Sequence, residues 1–559
     1  MRNVRRFAGR TAMIDPENDQ SWTYKELNEE VNRLSNTLIK CKFSKGDVLM
    51  LLTLNCPEFA FAYITAHKIQ GVFCPISYRN SSGEIAFNIS DSRPSTIIVD
   101  ASKLVEAFEA IKLSKFKPKR LVVVGKDIPQ AIAQLRSTVS KENILEAAAQ
   151  SVGQMLGFKL VVSGVEIITY KEFVKEASSE EPVIKSKYSI YDETTRLYTS
   201  GTSGKPKGVC LTSINEVLSS HDVMIHFPMS YKDVSINTTP WFHRGGLHCA
   251  GPCPTFYAGG SLVVMSKFDP KIALQYVSKY KITFLIGVPA VLEQLADEQE
   301  KQGYDLSSLT GIVTMGSPLE RSSCIRYQKV LTPNIFNGYG TTETFWNTFL
   351  RPFDLPENAG TAGTSCVDDD VRVVKVFDDR IANPDELAAT DGVEVGEVII
   401  SSPAKSPFVY FNNKRETEEK YHNGFIYTHD LATWDENHFV TIVGRKDDMI
   451  ISSGENIYPT EIEAVLNNHP KVKDCIVTSV PDKKTGQMVT AYIVKSDESL
   501  TPEELDEYCK NSPDIANFKR PRYYRFTGLI PFNATGKKLH MKIKEQAEDD
   551  FKNGLLYRV

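Results

Sequence analysis

Residues 24–39 place Leu27, Val31, Leu34 and Leu38 three and four positions apart, which is one face of a helix. Gly46-Asp47 marks a turn, and the apolar run 48–54 reads as a strand buried on both sides. Residues 58–68 read as helix and 71–76 as strand. That alternation predicts parallel sheet with helices outside it. The stretch 101–181 carries charged and alanine-rich pieces and reads as a helical surface layer. Beyond residue 370 strands dominate, at 371–377, 397–401 and 439–443. The charged turn Gly444-Arg445-Lys446-Asp447-Asp448 follows. After it come helices over 460–468 and 502–509 and strands over 475–480 and 489–494. The pattern predicts an α/β chain with a large N-terminal multi-sheet α/β domain, residues 1–445, and a smaller C-terminal α+β domain, residues 446–559.

Length agrees with that division, because 559 residues exceed the roughly 250–300 that one core accommodates. A net charge of −5 gives no electrostatic reason to bind nucleic acid. No apolar run reaches the ~20 residues of a membrane span, and the basic N-terminus lacks the apolar stretch of a signal peptide. Ten scattered cysteines form no CxxC pair, which suits a reducing compartment. A cytoplasmic protein is expected.

The densest chemistry lies in Tyr198-Thr199-Ser200-Gly201-Thr202-Ser203-Gly204-Lys205-Pro206-Lys207-Gly208. Glycines let backbone N–H groups approach an anion, hydroxyls donate to it and lysines neutralise it. This is phosphate chemistry, but no Walker A loop: Gly201 and Gly204 are too close, and Pro206 stands where Ser or Thr belongs. In Asn337-Gly338-Tyr339-Gly340-Thr341-Thr342-Glu343, a glycine-bracketed aromatic can lie on a nucleobase, while the hydroxyl and carboxylate after it suit a phosphate and its metal. His243, His248, Cys249 and Cys253 have ligand-type side chains, but their spacing fits no common structural zinc site, so no metal is expected there. His221 and His226, five apart, match no ligand pair.

These runs resemble, in order along nearly the whole chain, the motifs of the acyl-adenylate-forming superfamily (AMP-dependent synthetases and ligases), which holds acyl-CoA synthetases, peptide-synthetase adenylation domains and beetle luciferases. The resemblance implies that the run from Thr199 to Lys207 is the phosphate loop. It implies that Tyr339 stacks on adenine, Thr342 contacts phosphate and Glu343 holds Mg²⁺. Gly316-Ser317-Pro318 resembles the loop beside the adenine. Thr428-His429-Asp430 is similar to a T-G-D motif whose Asp binds the ribose, with Arg445 as second ribose contact and Asp447 as the hinge of a mobile C-terminal domain. Ser452-Ser453-Gly454-Glu455-Asn456 is similar to an S-G-G-E-N loop lining the thiol tunnel. His429 and Ser453 each replace a glycine of the pattern. Pro531 to Lys537 matches P-x-x-x-x-G-K, whose lysine stabilises the charge that builds as carboxylate attacks the α-phosphate.

Pro240-Trp241-Phe242-His243-Arg244-Gly245-Gly246 resembles the segment whose His orients the substrate carboxylate. The two glycines suggest room for a ring or medium chain, with further walls near Val288, Gly316 and Phe345-Trp346. Arg244 is expected in an internal ion pair, with an anionic substrate group as the alternative. The resemblance thus implies an ATP- and Mg²⁺-dependent ligase joining a small-molecule carboxylic acid to coenzyme A. Loading of a separate carrier protein, nucleotide binding without catalysis and, more remotely, a luciferase-type oxygenase are the other readings. A homodimer stays open.

Overall fold

The computed structural model describes residues 2–138, 144–145, 159–199, 206–377, 379–453, 455–482, 484–512, 514–532 and 538–559. Ser200, Gly201, Thr202, Ser203, Gly204, Lys205, Gly454 and Lys537 lie outside them. The described strands form four sheets of nine, nine, five and six strands.

The first nine-stranded sheet runs in the spatial order Thr364–Ser365, Phe345–Leu350, Ile335–Thr341, Gly311–Met315, Phe284–Gly287, Val234–Asn237, Ser261–Val263, Thr11–Asp15, Gln20–Thr23. The second is built from strands between residues 48 and 212, with Val48–Leu52 and Val72–Pro75 at its centre and Glu193–Thr199 and Lys207–Thr212 at one edge. Helices Tyr24–Lys40 and Pro57–Lys68 contribute to a core that also takes residues from both sheets, among them Leu49, Phe73, Leu197 and Leu262. The first starts where sequence periodicity places it. A reciprocal cap fixes its end: the Thr23 backbone N–H donates to Glu26 Oε2 at 2.8 Å while the Thr23 side chain accepts from the Glu26 N–H. Leu27, Val31, Leu34 and Leu38 are all buried, each worth about 1.5–3 kcal/mol of hydrophobic burial.

Residues 101–181 differ from expectation. They include a helical layer, Leu104–Leu113 and Ile128–Thr138, but also Arg120–Val124, Ile144–Leu145, Lys159–Val162 and Val165–Thr169, four strands of the second sheet. The Leu121–Val124 run is fully buried, and the charged flanks hid it in the average composition.

The third sheet comprises Asp370–Val374, Gly396–Ser401, Tyr421–His422, Phe425–Trp434 and Val440–Arg445. The fourth lies wholly within residues 450–558 and packs against helices Pro459–Asn467 and His540–Lys552, giving the α+β tail the sequence predicts. Among the described residues no helix is long and apolar enough to cross a membrane.

Candidate active site

Parallel strands Phe284–Gly287, Gly311–Met315 and Ile335–Thr341 lie side by side, with Met315 opposite Gly338. Their C-terminal ends bring Val288, Gly316 and Tyr339 to one edge, where open α/β sheets take ligands. Gly316 has φ +87°, and a Cβ there would stand 3.6 Å from Val288 Cγ1. Ser317 is half-buried and Pro318 exposed.

Ile335–Thr341 then turns back into Phe345–Leu350 through a bulge between Tyr339 and Gly340. The approach is so close that a Cβ on Gly340 would lie 1.7 Å from the Phe345 carbonyl oxygen. Phe345 itself takes φ +66°, costly for a bulky residue and sustained here by stacking on Trp346 at 4.4 Å. This hairpin fixes Thr341, Thr342 and Glu343 at its head. Thr341 Oγ1 meets Thr344 Oγ1 at 2.9 Å, and Arg244 Nη1 donates to the Thr342 carbonyl at 2.7 Å. Asn337 Nδ2 donates to the Thr361 carbonyl at 3.3 Å, and Gly338 packs against Trp346 and Phe349, so both support the strand.

Glu343 is buried and accepts a short hydrogen bond on Oε1 from the Tyr410 hydroxyl. Its Oε2 accepts none among the described residues, a donor set that fits a hard divalent cation. Lys420 stands in the electrostatic field of Glu343, Asp430, Glu397 and Arg445; burial lowers its ammonium and the carboxylates oppose that. Lys207, expected at phosphate, is instead buried in an ion pair with Glu416. Thr199 ends the preceding strand, half-buried.

At the other end, strands Phe425–Trp434 and Val440–Arg445 pair Asp430 opposite Arg445. Asp430 Oδ1 accepts from Arg445 Nη1 at 2.9 Å and Oδ2 from the Tyr339 hydroxyl at 2.8 Å. Burial and the Asp430 charge push the Tyr339 hydroxyl well above the ordinary phenol range, so it remains a donor. Arg445 Nη2 also reaches Asp447 Oδ2 at 3.3 Å, and His429 Nδ1 lies 3.5 Å from Asp447 Oδ1. His429 and Ser453 adopt φ +62° and +56°. Both are left-handed positions, which explains why glycine is the pattern residue there. Ser453 and Glu455 are exposed, flanking a hairpin of the fourth sheet. Glu320, two residues past Pro318, is raised by desolvation and steadied by the charge of Lys538, whose ammonium lies 3.0 Å from Asp474 Oδ1.

His243 caps the short helix Arg244–His248, its ring 4.1 Å from that of Phe242. Three expectations about this wall are corrected. Arg244 makes no hydrogen-bonded ion pair among the described residues; it is buried and donates to the carbonyls of Thr342 and, at 2.6 Å, Lys405. Burial lowers its guanidinium to about 10, with Glu216 and Glu343 opposing. Gly246 does not make room, because a Cβ there would lie 2.0 Å from the Pro240 carbonyl oxygen; backbone approach demands it. A Cβ on Gly245 would lie 2.8 Å from Met315 Sδ. Phe345 and Trp346 are buried in the hairpin's second strand, Trp346 Nε1 bonded to Asp222, rather than lining an open pocket.

Residues 1–407 match the AMP-binding enzyme family and residues 461–537 its C-terminal domain. The chain belongs to the AMP-binding enzyme family. Relatives in it include a long-chain-fatty-acid–CoA ligase of Mycobacterium tuberculosis, 28% identical over 96% of this chain and 95% of its own. A feruloyl-CoA synthase of Amycolatopsis is 27% identical over 94% of each chain. Among solved structures, the o-succinylbenzoate CoA synthetase of Bacillus subtilis with its acyl-adenylate superposes at TM-score 0.78, 25% identical over 97% of each chain. An anthranilate CoA ligase shares the fold at TM-score 0.81, 21% identical, covering 99% of this chain and 96% of that one. Tyr410, bonded to Glu343, is a candidate-site residue that reading the family's motifs misses.

Proposed function

We propose that this AMP-binding enzyme is an ATP-dependent carboxylic acid:CoA ligase acting on an aromatic, alicyclic or medium-chain acid. One observation carries the reading. A single hairpin presents Tyr339, hydrogen-bonded to Asp430, at the nucleoside end and Glu343 at the phosphate end. A ribose then meets Asp430 and Arg445, and adenine lies along Tyr339 and the Gly316-Ser317-Pro318 edge. The phosphates meet Thr342 and the loop from Thr199 to Lys205. Mg²⁺, held by Glu343, neutralises phosphate charge when bound. His243 orients the acid, and Lys537 stabilises charge at the junction of carboxylate and α-phosphate. Acyl-AMP and pyrophosphate result.

In this reading residues 446–559 then rotate about Asp447 and bring Ser453, Gly454 and Glu455 to the thiol, so that one cleft serves two reactions. ATP and coenzyme A are substrates with the acid. The protein works in the cytoplasm, and a homodimer is compatible with it. The acceptor separates this reading from loading of a carrier protein.

Pyrophosphate release is measured with ATP and Mg²⁺ across short, medium and long chains, benzoates, cinnamates and alicyclic acids, with and without coenzyme A. Strong release with one ring or medium-chain class, enhanced by coenzyme A, is expected. Release indifferent to coenzyme A favours a carrier acceptor, and silence throughout overturns the ligase reading. Lys537→Ala is expected to lose adenylate formation while largely keeping thioester formation from supplied acyl-AMP; equal loss in both halves removes that role from Lys537.

A further inference from the structure

Behind the Glu343 hairpin, His248 lies buried with its ring 5.9 Å from that of Phe345. On its far side three elements converge on one carboxylate oxygen. Helix Ser213–His226 supplies Glu216, helix Arg244–His248 supplies His248 and helix Pro252–Ala258 supplies Cys253. Glu216 Oε2 lies 2.6 Å from His248 Nε2, 3.3 Å from Cys253 Sγ and 2.9 Å from the Tyr63 hydroxyl. Glu216 Oε1, equally buried, has no partner among the described residues. With all three neighbours on Oε2, the buried Oε1 is left free to meet an ion.

We propose that Glu216, His248 and Cys253 form a zinc site, separate from the nucleotide cleft and independent of the ligase reading. The three ligand atoms lie within 4.8 Å of one another. Ligands about 2.0–2.3 Å from a tetrahedral ion stand roughly 3.2–3.8 Å apart, so each has to shift by no more than about 1 Å. One sulfur, one imidazole nitrogen and one carboxylate oxygen make a set that selects Zn²⁺ over Mg²⁺ or Ca²⁺. Charge favours it too: carboxylate, thiolate and neutral imidazole around a divalent ion sum to zero. Binding releases the Cys253 thiol proton to solvent and leaves the His248 ring neutral, with its proton on Nδ1. The fourth position faces a cavity of about 420 Å³ whose lining includes Tyr63, Glu216, Ser220 and Cys253, with Arg2, Arg6 and Lys68 also around it. A water completes the tetrahedron from that side.

A second group shows what such a cluster looks like when it is not a cation site. Asp222, His226 and Cys366 are also buried within 4.8 Å. There the Lys405 ammonium lies 3.0 Å from Asp222 and 2.6 Å from Asp369 and already supplies the positive charge. A divalent ion would meet that ammonium. At Glu216, by contrast, no lysine or arginine hydrogen-bonds the carboxylate among the described residues, and the buried Arg244 guanidinium acts on it only through space. The ligand spacing in sequence, Glu-x31-His-x4-Cys, is why no local motif announces the site.

The full-length chain is stripped with a chelator, desalted and titrated with Co²⁺ without ATP. One equivalent is expected to raise a thiolate-to-cobalt charge-transfer absorption and tetrahedral visible bands, and Zn²⁺ to displace it. Loss of an outer-shell partner weakens metal binding ~10–100-fold, and removal of a ligand is expected to exceed that in Cys253→Ser and His248→Gln. Cys366→Ser is expected to bind as the parent does. Zn²⁺ is expected to raise the unfolding midpoint of the parent but not of Cys253→Ser, whose near-isosteric change preserves the far-ultraviolet circular dichroism. No charge-transfer band in the parent, or a band that survives Cys253→Ser, overturns the proposal. If His248→Gln fails to fold, the cobalt band of Cys253→Ser decides alone.

Discussion

Ser453 and His429 carry side chains at left-handed positions, φ +56° and +62°, and each costs on the order of 1 kcal/mol relative to glycine. Ser453→Gly is expected to stabilise the C-terminal sheet by about that amount, read as a shift in its chemical-denaturation midpoint. His429→Gly relieves the same strain but removes the ring from Asp447. That ring, then Arg445, hold Asp447 down to about 2 against desolvation. A depressed carboxylate stabilises the fold above its ordinary value of 3.8, and the benefit is lost as pH falls through about 2. The parent is therefore expected to lose stability over that window more steeply than His429→Gly in acid titrations. Gly245 and Gly246 make a second contrast. Gly245→Ala meets only the flexible end of Met315 and is expected to fold and to alter acid preference. Gly246→Ala meets the Pro240 carbonyl at 2.0 Å and is expected to reduce soluble yield severely. The sequence offered the two glycines as equals. Their difference lies in which backbone passes nearby, which no spacing reveals.

The hairpin Ile335–Leu350 shows what an element makes legible. Tyr339, Thr342 and Glu343 are consecutive enough to be read as one motif, and the structure keeps them together because the turn is local. Tyr410 is not legible in that way. It reaches Glu343 from 67 positions away, and its neighbours carry no phosphate chemistry. Tyr410→Phe removes a donor to a buried carboxylate, worth about 1.5–3 kcal/mol. Pyrophosphate release is expected to fall roughly tenfold or more, with a higher Mg²⁺ requirement; an unchanged Mg²⁺ dependence would separate Tyr410 from the metal ligand. Lys207 teaches the reverse lesson. It sits inside a legible motif yet is buried against Glu416, because the fold brings the distant helix Lys414–Lys420 against its strand. Asp430 and Arg445 were legible only through motif likeness; the antiparallel register that brings them face to face is a tertiary fact.

At the scale of the whole molecule, the βα alternation near the N-terminus and the mixed tail were readable because each is a local rhythm. The strands within residues 101–181 were not, because charged flanks diluted a short apolar run. Sheet order was not readable either. Met13 pairs with Leu262 and Ile14 with Val263, although every strand of the second sheet lies between them in the chain. This has a consequence for biosynthesis. A ribosome adding ~5–20 residues per second makes the first hairpin wait about 12–50 s for its neighbouring strand. Meanwhile residues 48–212 emerge as a complete sheet that needs nothing from downstream to pair its backbone. Nascent chains halted just beyond residue 212 are expected to protect that sheet from protease while residues 11–23 are cut. Protection of the hairpin at that length would mean that packing on the neighbouring helices, such as Trp22 against Phe61, holds it before its strand partner exists.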